Sequence, residues 1–425
     1  MHHFLYRDGE LYCEDVPLQR IGEEVGTPSY VYSSATLVRH FQTFDESFQG
    51  IDHLTCYSVK ALSNLAILRL FANLGSGFDI VSGGELFRVE KAGGDTRKVV
   101  YSGVSKTEAE LSYALSRDIL LFNVESEPEL LLLNQVAGKM GRKARVALRI
   151  NPDVDAESHP HTSTGLRSSK FGIEVERAEA LFRKWRDYPN LEMVGVDCHI
   201  GSQLLRMAPI VEAFSHLVEL VVELKELGLE IKYLDLGGGL GITYNDETPP
   251  LPKEYAREIK AVVSEVGCKL ILEPGRVIVG NAGILLLRVV FVKETSGKRF
   301  VIVDGGMNDL IRPALYGAYH EVLPVMQKEV GAQHAVPVDI VGPICESADF
   351  LAKDRAFPTC EPGEFLAVMS AGAYGFVMAS NYNAQPLPAE VLVSGKEFYL
   401  VRLRESYEDL TEEEKVPEFL LKDKG

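Results

Sequence analysis

The chain has 425 residues, 46% hydrophobic and 25% charged, with 44 Lys plus Arg against 61 Asp plus Glu and a net charge of -17. That length exceeds one ordinary domain but accommodates a barrel of about 250 residues with a second unit. An acidic surface repels nucleic-acid backbone and anionic membrane, which argues against both as partners.

The opening residues 1–8 carry no apolar core of signal-peptide length, and no run reaches the ~20 apolar residues of a membrane span. The six cysteines, at 13, 56, 198, 268, 345 and 360, form no C-x-x-C pair. They read as reduced thiols of a cytoplasmic protein, without a zinc or redox motif. Residues 4–7 and 10–13 are strand-like. From 54 to 273 one pattern recurs, an apolar β-branched run, a polar or glycine turn, then an amphipathic helical stretch. The predicted strands are 54–60, 77–81, 99–102, 120–124, 146–150, 194–199, 233–236 and 269–273. Between them lie helical stretches at 64–74, 84–92, 107–116, 127–140, 178–188, 209–227 and 253–266. Eight such units in about 220 residues fit a (β/α)8 TIM-type barrel better than an open doubly wound sheet, although periodicity does not reveal closure.

After Glu273 helical patterns become rare. Short runs at 284–293, 299–303, 336–341, 365–368, 389–394 and 397–403 predict a second, mostly antiparallel β-domain, a sandwich or small barrel. Residues 406–423 are charged and read as helical or frayed. The expected division is a barrel over 29–276 and a β-domain built from 1–28 plus 277–425.

Active sites of such barrels gather at the C-terminal ends of the strands. Those ends carry Lys60, Asp79, Ser102, Glu125, Asn151, His199, Gly237-Gly238-Gly239 and Glu273. Lys60 closes the apolar run Tyr57-Ser58-Val59-Lys60-Ala61. A lysine drawn into such a mouth is expected to lose hydration, so that its pKa falls and its neutral amine becomes nucleophilic. Taken alone, a lysine snorkelling to solvent is the better reading. The run Gly237-Gly238-Gly239-Leu240-Gly241 suits a nest of N–H groups for phosphate. As a motif it is weak, since Gly-rich turns are common and no Walker lysine follows. Its position is more telling: this fold often binds phosphate with the loops after its last two strands, and Glu273-Pro274-Gly275-Arg276 ends the eighth. His199, in Asp197-Cys198-His199-Ile200-Gly201-Ser202, is either a flat ring for stacking on a planar cofactor or a satisfied polar residue. Ser202 is placed to reach a phosphate. No second histidine sits at ligand spacing, so no metal is expected.

Together these pieces resemble the type III pyridoxal-phosphate decarboxylases, which share the alanine-racemase-like barrel, and most closely the diaminopimelate decarboxylases among them. The matching stretches include Tyr57–Lys60, Phe78-Asp79-Ile80-Val81-Ser82-Gly83-Gly84-Glu85, Asn123–Ser126, His161–Gly165, Ser169–Gly172, His199–Ser202, Gly237–Gly241 and Glu273–Arg276. Later come Asp304–Asn308, Arg312-Pro313-Ala314-Leu315-Tyr316, Gly342-Pro343-Ile344-Cys345-Glu346-Ser347 and Gly372-Ala373-Tyr374-Gly375. The resemblance covers nearly the whole chain. One departure, Leu62-Ser63 where the family usually shows Asn soon after the lysine, does not touch the chemistry.

The resemblance implies pyridoxal 5'-phosphate carried covalently on Lys60, with Asp79 near it, Glu273 facing the pyridine nitrogen and His199 stacked on the ring. Ser202, Gly238, Gly239, Gly275, Arg276 and Tyr374 are implied around the cofactor. A carboxylate at the ring nitrogen suits decarboxylation, whereas racemases of this fold place an arginine there. Cys345 is implied as the acid that returns a proton to Cα. Arg276 and Arg312 are implied as clamps for a distal substrate carboxylate, helped by Tyr316 and Tyr374, with Glu346 accepting a distal ammonium. For Arg276 a place beside the phosphate is the alternative, and for Arg312 a surface salt bridge. The implied reaction is decarboxylation of meso-2,6-diaminopimelate to L-lysine, the last step of lysine biosynthesis. The implied assembly is a homodimer with shared active sites. Sibling decarboxylases of ornithine, lysine, arginine or carboxynorspermidine are the enzymatic alternative, and a non-catalytic binding relative is the remaining one. Residues 159–170, rich in Ser, Thr, His and Gly, read as a loop that closes over the site.

Overall fold

A computed structural model describes residues 2–154, 169–264, 266–327 and 336–421. The expected closing loop at 159–170 therefore lies, but for its last two residues, outside the described residues. The chain divides into two compact units. The first comprises Met1–His3, Ser33–Gly283 and Ser370–Val377, and the second Phe4–Tyr32, Ile284–Met369 and Met378–Gly425. The sequence places the boundaries at 29 and 276. The structure puts them at 33 and 283 and adds residues 370–377 to the first unit.

The first unit is a closed parallel barrel. Its strands are β1 His53–Ser58, β2 Gly77–Ile80, β3 Val99–Tyr101, β4 Leu121–Val124, β5 Ala144–Asn151, β6 Leu191–Asp197, β7 Tyr233–Asp235 and β8 Lys269–Leu272. Each pairs in parallel with the next, and β8 returns to β1, which closes the ring. Side-chain period two then builds layers inside the barrel. Cys56, Val100, Leu121, Ala147 and Ile271 belong to one buried apolar cluster. Two residues further along the same faces stand Ser58, Ser102, Asn123, Arg149 and Glu273, so a polar layer sits directly above an apolar one.

Helices between the strands begin at good N-caps. Ser33, Asn64, Ser82, Thr107 and Ser126 each accept a backbone N–H with the side chain, and Thr107 with Glu110 forms a capping box. The helix Ser34–Ser47 was not expected from the sequence; it buries Leu37, Phe41 and Phe44 on one face. Lys60 is not in a strand. β1 ends at Ser58, whose N–H donates to the Pro274 carbonyl, and Lys60 sits in the short 3-10 turn Val59–Ala61.

The second unit is mostly antiparallel. Its main sheet runs Phe350–Phe357, Val336–Val341, Arg299–Val303, Gly283–Glu294, Ser29–Ser33, Ala389–Ser394 and Glu397–Arg402, with Phe365–Val368 and Val322–Pro324 joining beside Gly283–Glu294. Arg299–Val303 and Val336–Val341 pair in parallel. A small antiparallel sheet of Phe4–Arg7, Glu10–Cys13 and Val16–Pro17 belongs to the same unit. Its core includes Phe4, Leu11, Ile21, Leu286, Phe365 and Val391.

Candidate active site

Lys60 and Asp79 form the centre of the barrel mouth. Lys60 Nζ lies 2.7 Å from Asp79 Oδ2, and Ser58 Oγ donates to the same oxygen at 2.9 Å. Asp79 is fully buried, while the Lys60 side chain is 30% exposed. Burial works against the ammonium, but the carboxylates of Asp79 and Glu273 outweigh it and hold the amine above its ordinary pKa. The expected fall in the lysine pKa is therefore corrected. Desolvation acts as anticipated, but two carboxylates that only folding brings near reverse its outcome.

Around this pair the polar layer is rich in acid. Asn123 Nδ2 donates to Asp235 Oδ2 at 2.9 Å, to Ser102 Oγ at 3.1 Å and to Glu273 Oε1 at 3.5 Å. Arg149 donates to Glu125 Oε1 at 2.9 Å and lies 3.9 Å from Asp197 Oδ2. Burial, then the neighbouring Asp235 and Asp79, push the Glu273 carboxyl well up against the pull of Lys60. Burial and Asp197 raise Asp235, and burial and Glu273 raise Asp197. Among the described residues, Asp79 Oδ1, Asn123 Oδ1 and Asp197 Oδ1 are buried without a hydrogen bond. Such a layer, facing one lysine amine, fits a planar cationic ring bearing an aldehyde. The residues present match pyridoxal phosphate.

The glycine run follows β7. A Cβ on Gly238 would lie 2.1 Å from the Glu273 carbonyl oxygen, and one on Gly239 would lie 2.4 Å from the Gly201 carbonyl. The Glu273 N–H donates to the Gly237 carbonyl at 2.7 Å, which ties the last two loops together. The Gly238 N–H donates to His199 Nδ1 at 3.1 Å. That bond makes Nδ1 the acceptor, so the neutral ring carries its proton on Nε2. Burial, with Lys60 and Arg149, keeps His199 well below its ordinary pKa. Arg276 donates to Ser202 Oγ at 3.1 Å and to the Tyr244 hydroxyl at 2.6 Å. Gly275 N-caps the turn that carries it, and a Cβ there would press on Ala61 and Ser58 at 3.1 Å.

Tyr374 arrives from the segment 370–377. Gly372, in the same segment, packs so close that a Cβ would lie 2.0 Å from the Val279 carbonyl. Tyr374 has φ +55°, unusual for an aromatic residue. Its N–H donates to the Ala61 carbonyl at 2.9 Å, and the Arg276 guanidinium lies 5.0 Å from its ring centre. The structure thus brings Lys60, Asp79, His199, Ser202, Gly238, Gly239, Glu273, Gly275, Arg276 and Tyr374 into the barrel unit.

Arg312, Tyr316, Cys345 and Glu346 belong to the second unit. Cys345 and Glu346 are exposed; the Cys345 N–H donates to Asn383 Oδ1 at 2.8 Å, and the Tyr382 hydroxyl donates to Glu346 Oε2 at 2.9 Å. Arg312 is buried rather than a surface ion pair. Sequence reasoning missed Asn123, Arg149, Asp197, Asp235 and Tyr244. The first four had a signal: each is a polar residue two positions beyond a residue of the barrel interior, Asn123 and Arg149 within their strands and Asp197 and Asp235 at the last position of theirs.

The class that this fold and mouth define is the pyridoxal-dependent decarboxylases. The family described as "Pyridoxal-dependent decarboxylase, pyridoxal binding domain" matches residues 34–280. A diaminopimelate decarboxylase of Vibrio cholerae is 53% identical over 96% of this chain and 98% of that relative. One from Aquifex aeolicus is 50% identical, covering 96% of each. A crystal structure of a diaminopimelate decarboxylase from M. jannaschii, in complex with L-lysine, superposes with a TM-score of 0.93 at 40% identity, covering 99% of this chain and 100% of that one. The chain belongs to the diaminopimelate decarboxylase family.

Proposed function

We propose that this chain decarboxylates meso-2,6-diaminopimelate to L-lysine and CO2 with pyridoxal 5'-phosphate carried on Lys60. The observation that carries the reading is the placement of Lys60 and Asp79 beside buried Glu273 in one barrel mouth. When bound, pyridoxal phosphate supplies a conjugated ring that draws off the electrons of the breaking Cα–carboxylate bond.

The protein's part is to bind, orient and move protons. Glu273, buried just past the end of β8, would face the ring nitrogen, where its carboxylate charge would keep that nitrogen protonated. His199, fixed by the Gly238 N–H, offers a neutral face for stacking. Ser202, Gly238, Gly239, Gly275 and Arg276 hold the phosphate. The Arg276–Ser202 hydrogen bond favours that place for Arg276 over a substrate clamp. Asp79 holds the Lys60 amine when it is free, and Tyr374 packs its ring on Arg276.

The second unit completes the reading. Cys345 gives a thiol proton to Cα after CO2 leaves. Arg312, with Tyr316, clamps the distal carboxylate, and Glu346 accepts the distal ammonium. The assembly is a homodimer in which these residues serve the partner's barrel, a role that suits the exposure of Cys345 and Glu346. Six free cysteines suit a reducing cytoplasm. Measuring CO2 release from meso-diaminopimelate, ornithine, lysine, arginine and carboxynorspermidine tests the substrate. Activity confined to ornithine would overturn it.

A further inference from the structure

Arg312 opens the short helix Arg312–Tyr316 and is only 7% exposed. Its Nε donates to Nε2 of His320 at 3.3 Å. His320 is fully buried, and its Nδ1 lies 2.9 Å from the Met369 carbonyl oxygen. A carbonyl only accepts, so Nδ1 carries the ring proton and Nε2 of the neutral ring offers its lone pair to Arg312. The strand register explains why Met369 is there. Val322 pairs with Val368 in an antiparallel ladder, and one step on, the Met369 N–H donates to the Glu321 carbonyl at 2.8 Å. His320 is thus spliced between a strand end and the guanidinium.

The geometry points to His320 as a positioning residue for substrate recognition. It fixes the plane of Arg312 so that a substrate carboxylate meets the Nη1–Nη2 edge rather than the Nε edge. This rests on the reading of Arg312 as the clamp for the distal carboxylate. A guanidinium pre-set in this way loses less freedom on binding than a mobile one, and a bidentate pair depends on that plane. The effect belongs to binding, so it appears in KM and leaves kcat nearly untouched.

The test is steady-state decarboxylation of meso-diaminopimelate by cofactor-loaded wild type, Arg312→Gln, His320→Asn, His320→Gln and the double variant Arg312→Gln/His320→Asn. Asparagine keeps a donor near Nδ1 but withdraws the acceptor from Arg312, whereas glutamine extends an amide oxygen to it. His320→Asn is expected to raise KM roughly tenfold with kcat within about twofold, and His320→Gln to recover most of that loss. In the Arg312→Gln background the Asn change adds nothing further to KM, because the residue it acts through is gone. Equal KM effects in both backgrounds, or a loss confined to kcat, overturn the proposal. If His320→Asn does not fold, the same cycle run with His320→Ala, which also withdraws the acceptor, decides it: a KM effect present only with Arg312 supports the proposal, and an equal effect without it overturns it. An unchanged KM in Arg312→Gln marks failure of the clamp reading itself and takes the proposal with it. A wild type inactive on this substrate marks failure of the functional reading.

Discussion

Asp79 Oδ2 accepts a hydrogen bond from Lys60 Nζ at 2.7 Å, and this carboxylate, with Glu273, favours the charged form of the amine proposed to carry the cofactor. Only a neutral amine attaches to an aldehyde, so the charge of Asp79 opposes attachment at Lys60. Asp79→Asn removes a negative neighbour and lowers the Lys60 pKa. The pH midpoint for attachment of pyridoxal phosphate, read by borohydride trapping, is expected to move down. A midpoint unchanged from wild type contradicts the pairing seen here.

Glu273 makes two predictions. In the loaded enzyme, Glu273→Gln keeps the cofactor but loses kcat by roughly a hundredfold or more, the scale of removing one buried electrostatic partner. In the cofactor-free protein the carboxyl has a folded pKa above its unfolded value. Its contribution to stability is then fully present below the unfolded pKa and is lost as pH rises through the folded one. Cofactor-free Glu273→Gln should therefore gain stability relative to wild type as pH rises above the ordinary glutamate range, by denaturant unfolding, on the order of a kcal/mol for each pKa unit traversed. A difference that stays constant with pH contradicts a raised Glu273.

Gly238→Ala places a methyl where the Glu273 carbonyl oxygen stands, 2.1 Å from the new Cβ, and that neighbour is backbone. Strain of about 1–3 kcal/mol is expected, with weakened pyridoxal-phosphate binding. Thermal melting with and without the cofactor checks both. Full cofactor affinity in this variant would show that the two loops do not form the cradle.

Cys345 is exposed, so Cys345→Ala should change stability by no more than about 0.5 kcal/mol. Turnover is expected to fall roughly a hundredfold or more while the cofactor stays bound. Mixing this variant with Lys60→Ala tests the shared site, because subunit exchange creates one intact site in each hybrid dimer. Activity returning to about a quarter of wild type supports a two-fold dimer with shared sites. Mixtures as inactive as their parents count against it.

The barrel was legible because every strand is a short apolar run stopped by a polar residue or glycine, as in Leu234-Asp235-Leu236 before the glycines. Closure was not, because the pairing of β8 with β1 joins Leu270 to His53, a contact that no local pattern encodes. Ser29–Ser33, buried on both faces, lacks alternation, and Phe350–Phe357 hides its strand character behind Lys353, Asp354 and Arg355. At the site, Lys60 and Glu273 were readable from their strand ends. The charge of Lys60 was misjudged because Asp79, separated from it by a helix in sequence, reaches it only in the folded barrel. Asn123, Arg149, Asp197 and Asp235 were passed over because all four fall inside the runs predicted as strands rather than at their predicted ends; Asp197 and Asp235 prove to be the last residues of β6 and β7.

The central claim, that Lys60 carries pyridoxal phosphate in this mouth, is tested most directly by spectroscopy of the purified protein with added cofactor. Wild type should show a visible absorbance band that borohydride converts into a permanent label on the Lys60 peptide, and Lys60→Ala should show neither. A colourless wild type, or a label that persists in Lys60→Ala, would contradict the account.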